Sequence, residues 1–128
     1  MTQDKNKPRR ILIVEDSCDM REIYKTFFKN HHKEYHIDME GDAQIALEKL
    51  KKDHYDLIVL DIIMEPMTGE SFLVYTRENK PTEDVPIVIV SVLSEGILKG
   101  LKRYKNVEFL QKPVTEVQLM GVIKKHLG

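Results

Sequence analysis

The chain has 128 residues, enough for one domain of ordinary size that buries roughly two thirds of its unfolded surface. Its 20 Lys and Arg against 21 Asp and Glu leave a formal charge of −1, which offers no long-range field to hold a nucleic acid or an anionic membrane. Cys18 is the only cysteine, which rules out an intrachain disulfide, and no stretch approaches the ~20 apolar residues of a membrane span. A cytoplasmic setting is expected.

In chain order, Met1–Arg10 is polar and lacks the apolar core of a signal peptide, so residues 1–9 read as a flexible segment at the start of a single domain spanning 1–128. Arg10 to Glu15 carries the β-branched run Ile11-Leu12-Ile13-Val14 and reads as the first strand. Met20, Ile23, Tyr24, Phe27 and Phe28 follow at helical spacing, with Ser17 as N-cap and Cys18 as a small hydrophobe near the helix start. Tyr35 to Met39 alternates as a strand. Gly41-Asp42 then opens a helix with Ala43, Ala46, Leu47 and Leu50 on one face. His31, His32 and His36 read as a solvated helix end, because adjacent histidines cannot share one helix face.

Leu57 to Leu60 is the third strand and about Thr68 to Asn79 the third helix. Pro81 and Pro86 bound the connection to a fourth strand, Ile87 to Ser91. A weak fourth helix interrupted by Gly96 and Gly100 follows, then a fifth strand at Val107 to Gln111, and a fifth helix with Val117, Met120 and Ile123 on one stripe.

Near-continuous apolar strands alternating with helices imply an α/β fold, a doubly wound parallel sheet covered on both faces. In the five-strand order 2-1-3-4-5, the first and third strands flank the switch point where such sheets bind ligands. Glu15-Asp16 end the first strand and Asp61 ends the third, so three carboxylates meet at that crevice. Clustered carboxylates repel unless a cation offsets them, and an oxygen-only donor set suits Mg²⁺ or Mn²⁺. Ser91 ends the fourth strand with a hydroxyl donor, and Lys112, before Pro113, follows the fifth with a point charge. An acidic pair, an acid, a hydroxyl and a Lys-Pro, each after a separate strand, together fit a metal and a phosphate.

These residues resemble the receiver domains of two-component response regulators, a flavodoxin-like (βα)5 family. The resemblance rests on Ile11-Leu12-Ile13-Val14-Glu15-Asp16, on Asp61 with Met64, Pro66, Met67 and Gly69, on Ser91 thirty residues beyond Asp61, and on Lys112-Pro113. It implies that Asp61 is the phosphoacceptor, taking a phosphoryl group from a sensor histidine kinase, a phosphotransfer protein or a small acyl phosphate. It further implies that Asp16 ligates Mg²⁺ directly, that Glu15 acts through metal-bound water, and that Asp61 and the backbone carbonyl of Ile63 complete the metal site. Lys112 and Ser91 would bind the phosphoryl oxygens. Phe109 takes the place of the switch aromatic, so that the face of the fourth helix, fifth strand and fifth helix changes shape toward an output domain or target protein. Such a protein is no enzyme beyond its own phosphorylation and dephosphorylation.

Three departures stand out. Glu65 stands where the family usually has Pro, with Pro66 one place later, which is expected to alter the loop without removing the carbonyl ligand; Val92 stands where it keeps a small residue and bears on phosphoryl access, and the apolar Ile63 and Leu93 are expected to hinder the hydrolytic water. The alternatives are a degenerate receiver acting as a phosphorylation-independent interaction module, the excised input domain of a longer regulator, and a Mg²⁺ phosphatase of related topology. The last needs an acid two residues past Asp61, where Ile63 stands. Homodimerisation through the switching face stays open.

Overall fold

The computed structural model describes residues 7–62, 68–93 and 99–128, with Lys102 described by its backbone alone. Five parallel strands, β1 (Arg9–Val14), β2 (Tyr35–Glu40), β3 (Leu57–Leu60), β4 (Ile87–Ser91) and β5 (Val107–Gln111), form one sheet in the order β2-β1-β3-β4-β5. Four α-helices cover it among the described residues: α1 (Cys18–Phe28), α2 (Ala43–Lys52), α3 (Gly69–Glu78) and α4 (Glu116–Leu127). This is the doubly wound arrangement expected from the alternation of strand and helix patterns. β1 pairs with β3 on one side and with β2 on the other, which places the switch in strand order between β1 and β3.

Side chains alternate across a strand, so a run of buried apolar residues must feed two cores. Leu12, Val14, Ile58, Leu60, Ile87 and Ile89 face one way and pack with Ala43, Ala46 and Leu50 of α2 and with Phe72 and Leu73 of α3. Ile11, Ile13, Leu57, Val59, Val88 and Val90 face the other way, against Tyr24 and Phe28 of α1 and Leu119, Met120, Ile123 and Leu127 of α4. Each fully buried side chain of this kind contributes about 2 kcal/mol of transfer free energy. The central strands β1, β3 and β4 are therefore fixed most firmly, while β5 at one edge is only half-buried.

The helix starts follow their caps. The Ser17 hydroxyl accepts from the Met20 amide, Asp42 accepts from the amides of Gln44 and Ile45, and Thr68 accepts from the Ser71 amide. Thr115 and Gln118 form a reciprocal capping box at α4. Three local expectations need correction. Val117 is 83 % exposed, because at about 100° per residue the buried stripe of α4 centres on Leu119 and Ile123 and leaves Val117 to one side. Cys18 does begin α1, yet it is exposed rather than packed. His31 is half-buried beside the Tyr35 ring and not simply solvated. The expected fourth helix falls largely on residues 94–98, outside the described residues; past Gly96, Lys99–Arg103 forms a 3-10 helix. No helix among the described residues is long and apolar enough to cross a membrane.

Candidate functional site

The carboxyl ends of β1 and β3 lie side by side, since Val14 pairs with Leu60 and the Asp61 amide donates to the Val14 carbonyl at 3.1 Å. Glu15, Asp16 and Asp61 follow directly. Carboxylate oxygens of all three lie within 4.8 Å of one another. Glu15 and Asp61 are buried, whereas Asp16 is exposed. An oxygen-only set this close fits a hard divalent cation, by charge and by donor type.

Lys112 reaches into this cluster from the end of β5. Its Nζ donates to Glu15 Oε1 at 2.9 Å and to Asp61 Oδ2 at 3.3 Å. The second oxygen of Glu15 accepts from the Ser17 amide at 3.2 Å. Burial pushes the Glu15 carboxyl up, and the bond to Lys112 offsets this only in part because Asp61 pushes the same way. For Lys112, burial favours the neutral amine, yet the contacts with Glu15 and Asp61 outweigh it and its pKa is raised. The lysine is thus held charged between two carboxylates. Beneath them, burial, then Glu15 and Asp61, push the hydroxyl of the buried Tyr24 strongly up, so it stays neutral.

Ser91 ends β4 and is buried; its Oγ accepts from the Leu93 amide at 3.2 Å, and its carbonyl accepts from the Lys112 amide at 2.8 Å. That backbone bond ties the two expected phosphate ligands together. The Lys112-Pro113 peptide bond is cis. Phe109, paired with Ile89 across β4 and β5, is half-buried against the core on the α2 and α3 side. Val92 is 60 % exposed, and Leu93 packs partly against the same core as Phe109. Gly69 opens α3 tightly against the site: a Cβ there would overlap the Asp61 carbonyl oxygen and the Ile62 Cα, so only glycine fits. Ile63, Met64, Glu65, Pro66 and Met67 lie outside the described residues.

One contributor was missed from sequence. Arg21 Nη1 donates to the carbonyl oxygen of Glu15 at 2.8 Å. A cation near the start of a helix runs against the dipole, and that misfit was the available signal for a specific partner.

The sheet order and the acidic crevice define a class, the receiver domains of two-component response regulators, and the chain belongs to that family: the model of the response regulator receiver domain matches residues 11–124. Among sequence relatives, the response regulator ArlR of Staphylococcus saprophyticus is 31 % identical over 120 residues, covering 92 % of this chain and 52 % of that protein. The chain therefore spans about half the length of the curated relatives it matches. Among solved structures, the signal receiver domain of a protein described as a Luxo repressor from Vibrio parahaemolyticus superposes with a TM-score of 0.85 at 25 % identity, covering 94 % of this chain and 91 % of that one. The chemotaxis protein CheY4 of Vibrio cholerae shares the fold, with a TM-score of 0.84 at 24 % identity over 94 % of this chain and all of that one.

Proposed function

We propose that the chain is a single phosphorylatable receiver unit in which Asp61 accepts a phosphoryl group in a Mg²⁺-dependent reaction. The observation that carries this reading is the bridge of Lys112 Nζ between Glu15 and Asp61, inside three carboxylates whose oxygens lie within 4.8 Å. Glu15, Asp16 and Asp61 would hold the ion, together with the Ile63 carbonyl expected from the family. Mg²⁺ or Mn²⁺, when bound, supplies neutralising charge for the carboxylates and the incoming phosphoryl oxygens.

The chain's own residues do the rest by positioning and charge. An Asp61 carboxylate oxygen attacks phosphorus; the P–N bond of a phosphohistidine breaks, and its electron pair stays on the imidazole nitrogen, which takes up a proton. With an acyl phosphate donor, the P–O bond breaks and a carboxylate leaves. Lys112 exchanges Glu15 for a phosphoryl oxygen, and the Ser91 hydroxyl donates to another. Drawing Ser91 inward frees room for Phe109, which alters the face of β5 and α4 toward an output domain or target protein. Phe109 has no hydroxyl, so burial alone favours its inward state. The upstream partner is a histidine kinase or phosphotransfer protein, in the cytoplasm.

Incubation with an acyl phosphate and Mg²⁺, read as intact mass, tests this. Wild type gains one phosphoryl group and Asp61→Asn gains none. A wild-type protein that takes no phosphoryl group, even from its kinase, sinks the reading. The apolar Ile63 and Leu93 keep water from the aspartyl phosphate, so an Ile63→Asn, Leu93→Glu double variant is expected to lose phosphate faster than wild type. Equal decay rates by phosphoprotein gel would remove that role.

A further inference from the structure

Resting on the reading that the acidic cluster takes Mg²⁺, we infer that Arg21 is a positioning residue for Asp16, admitted to its place by the missing side chain of Gly41. Asp16 is exposed, and among the described residues its carboxylate has no hydrogen-bond or ion-pair partner. The point from which it reaches the metal site, its Cβ, is therefore set by the backbone that carries it. The peptide plane joining Glu15 to Asp16 is held by Arg21, whose Nη1 donates to the Glu15 carbonyl oxygen at 2.8 Å. One bond upstream, the Glu15 amide donates to the Glu40 carbonyl at 2.9 Å. With both ends of Glu15 held, the turn that leads out of β1 has little freedom left.

Gly41 completes the device. A Cβ at Gly41 would lie 2.8 Å from Arg21 Nη1, 3.4 Å from Arg21 Cζ and 3.7 Å from the Glu15 carbonyl oxygen. The guanidinium thus occupies the volume that any other residue at position 41 would fill. The atoms displaced by such a side chain are the far end of a flexible arginine, so Gly41→Ala should move Arg21 at little cost to the fold.

Positioning and charge act in opposite directions here, which makes the sign of the effect decisive. Removing a cation beside a metal site tightens metal binding by Coulomb's law. Removing the anchor of a ligand's backbone weakens it, by roughly 10- to 100-fold for supporting groups around metal ligands.

The test is Mg²⁺ affinity of the full chain at matched ionic strength, by calorimetry and amide NMR shifts, with circular dichroism and melting as checks on the fold. Arg21→Ala is expected to weaken Mg²⁺ binding about 10-fold. Arg21→Lys keeps the charge and a donor and recovers most of the loss. Gly41→Ala, with a near-native melting point, weakens binding as Arg21→Ala does, and the double variant binds no worse than Arg21→Ala alone, because both changes remove one contact. Arg21→Ala binding Mg²⁺ as tightly as wild type, or more tightly, overturns the inference, as do losses from the two sites that add. Wild type failing to bind Mg²⁺ would instead bring down the function on which the inference rests.

Discussion

At Glu15 the fold works against the ionised side chain. Burial, reinforced by Asp61, raises its pKa above the ordinary 4.5 despite the bond to Lys112. A carboxyl with a raised native pKa binds protons more readily folded than unfolded, so its charge lowers stability at neutral pH. That deficit shrinks as pH falls through the raised value toward 4.5. Lys112 has the opposite sign: its raised pKa means that its charge stabilises the fold up to about 10.5, with the gain lost only as pH rises beyond. Without divalent metal, Glu15→Gln should therefore raise Tm by a few degrees at neutral pH, with the gap closing on acidification. Lys112 keeps Asp61 as partner in that variant. Melts that show Glu15→Gln no more stable than wild type would mean that the Lys112 bond outweighs the burial. Most residues of this site were legible in the sequence, because an acid, a hydroxyl or a lysine at a strand end is a side-chain signal. Arg21 showed only as a cation out of place near a helix start, because what it holds is a main-chain oxygen that no residue type announces.

The elements were legible wherever burial sets the pattern. β-Branched runs gave β1, β3 and β4, and Ser17, Asp42 and Thr68 cap the helices that follow them. Val117 misled because it keeps a three-residue spacing with Met120 and Ile123, while the buried stripe of α4 runs through Leu119, Ile123 and Leu127. Arg77 near the end of α3 hid its partners for the same reason as Arg21. It donates to four backbone carbonyls, those of Thr82 at 3.1 Å, Val85 at 2.7 Å, Lys105 at 3.1 Å and Asn106 at 3.3 Å. Asn106 itself takes the left-handed conformation, φ 56°, and its carbonyl also receives the Ile87 amide. One guanidinium thus joins α3 to the segments that enter β4 and β5. Arg77→Met keeps an apolar stem but takes the donor from the Val85 and Lys105 carbonyls, while those of Thr82 and Asn106 keep the Val85 and Ile87 amides, so urea denaturation should show a loss of about 1–3 kcal/mol. The change lies at the amino end of β4, about 13 Å along the strand from Ser91. Mg²⁺ affinity should stay at the wild-type level, and a fall would mean that this anchor extends to the crevice.

For the whole molecule, the sheet order concentrates like charge where the strands β1 and β3 part. Two core layers hold those strands rigidly, so the strand ends from which the carboxylates project cannot move apart. Among the described residues Lys112 supplies one positive charge to Glu15 and Asp61 and Arg21 sets a second at the Glu15 carbonyl, against three carboxylates that lie together. A divalent ion that binds the folded chain and not the unfolded one stabilises it by mass action, about 2.7 kcal/mol at 100 times its Kd. For a domain of this size that corresponds to roughly 10 °C in Tm. Differential scanning calorimetry should accordingly show Tm climbing with the logarithm of Mg²⁺ concentration above Kd, whereas Asp16→Asn and Asp61→Asn give shallower rises. NaCl at the same ionic strength should not reproduce the rise, since screening weakens all exposed charge pairs alike and barely reaches the buried Glu15 and Asp61. If NaCl matched Mg²⁺, the effect would be screening and not a site. If Tm did not move at all, Mg²⁺ would not bind the folded chain, and the charge of the three carboxylates would have to be offset without a metal.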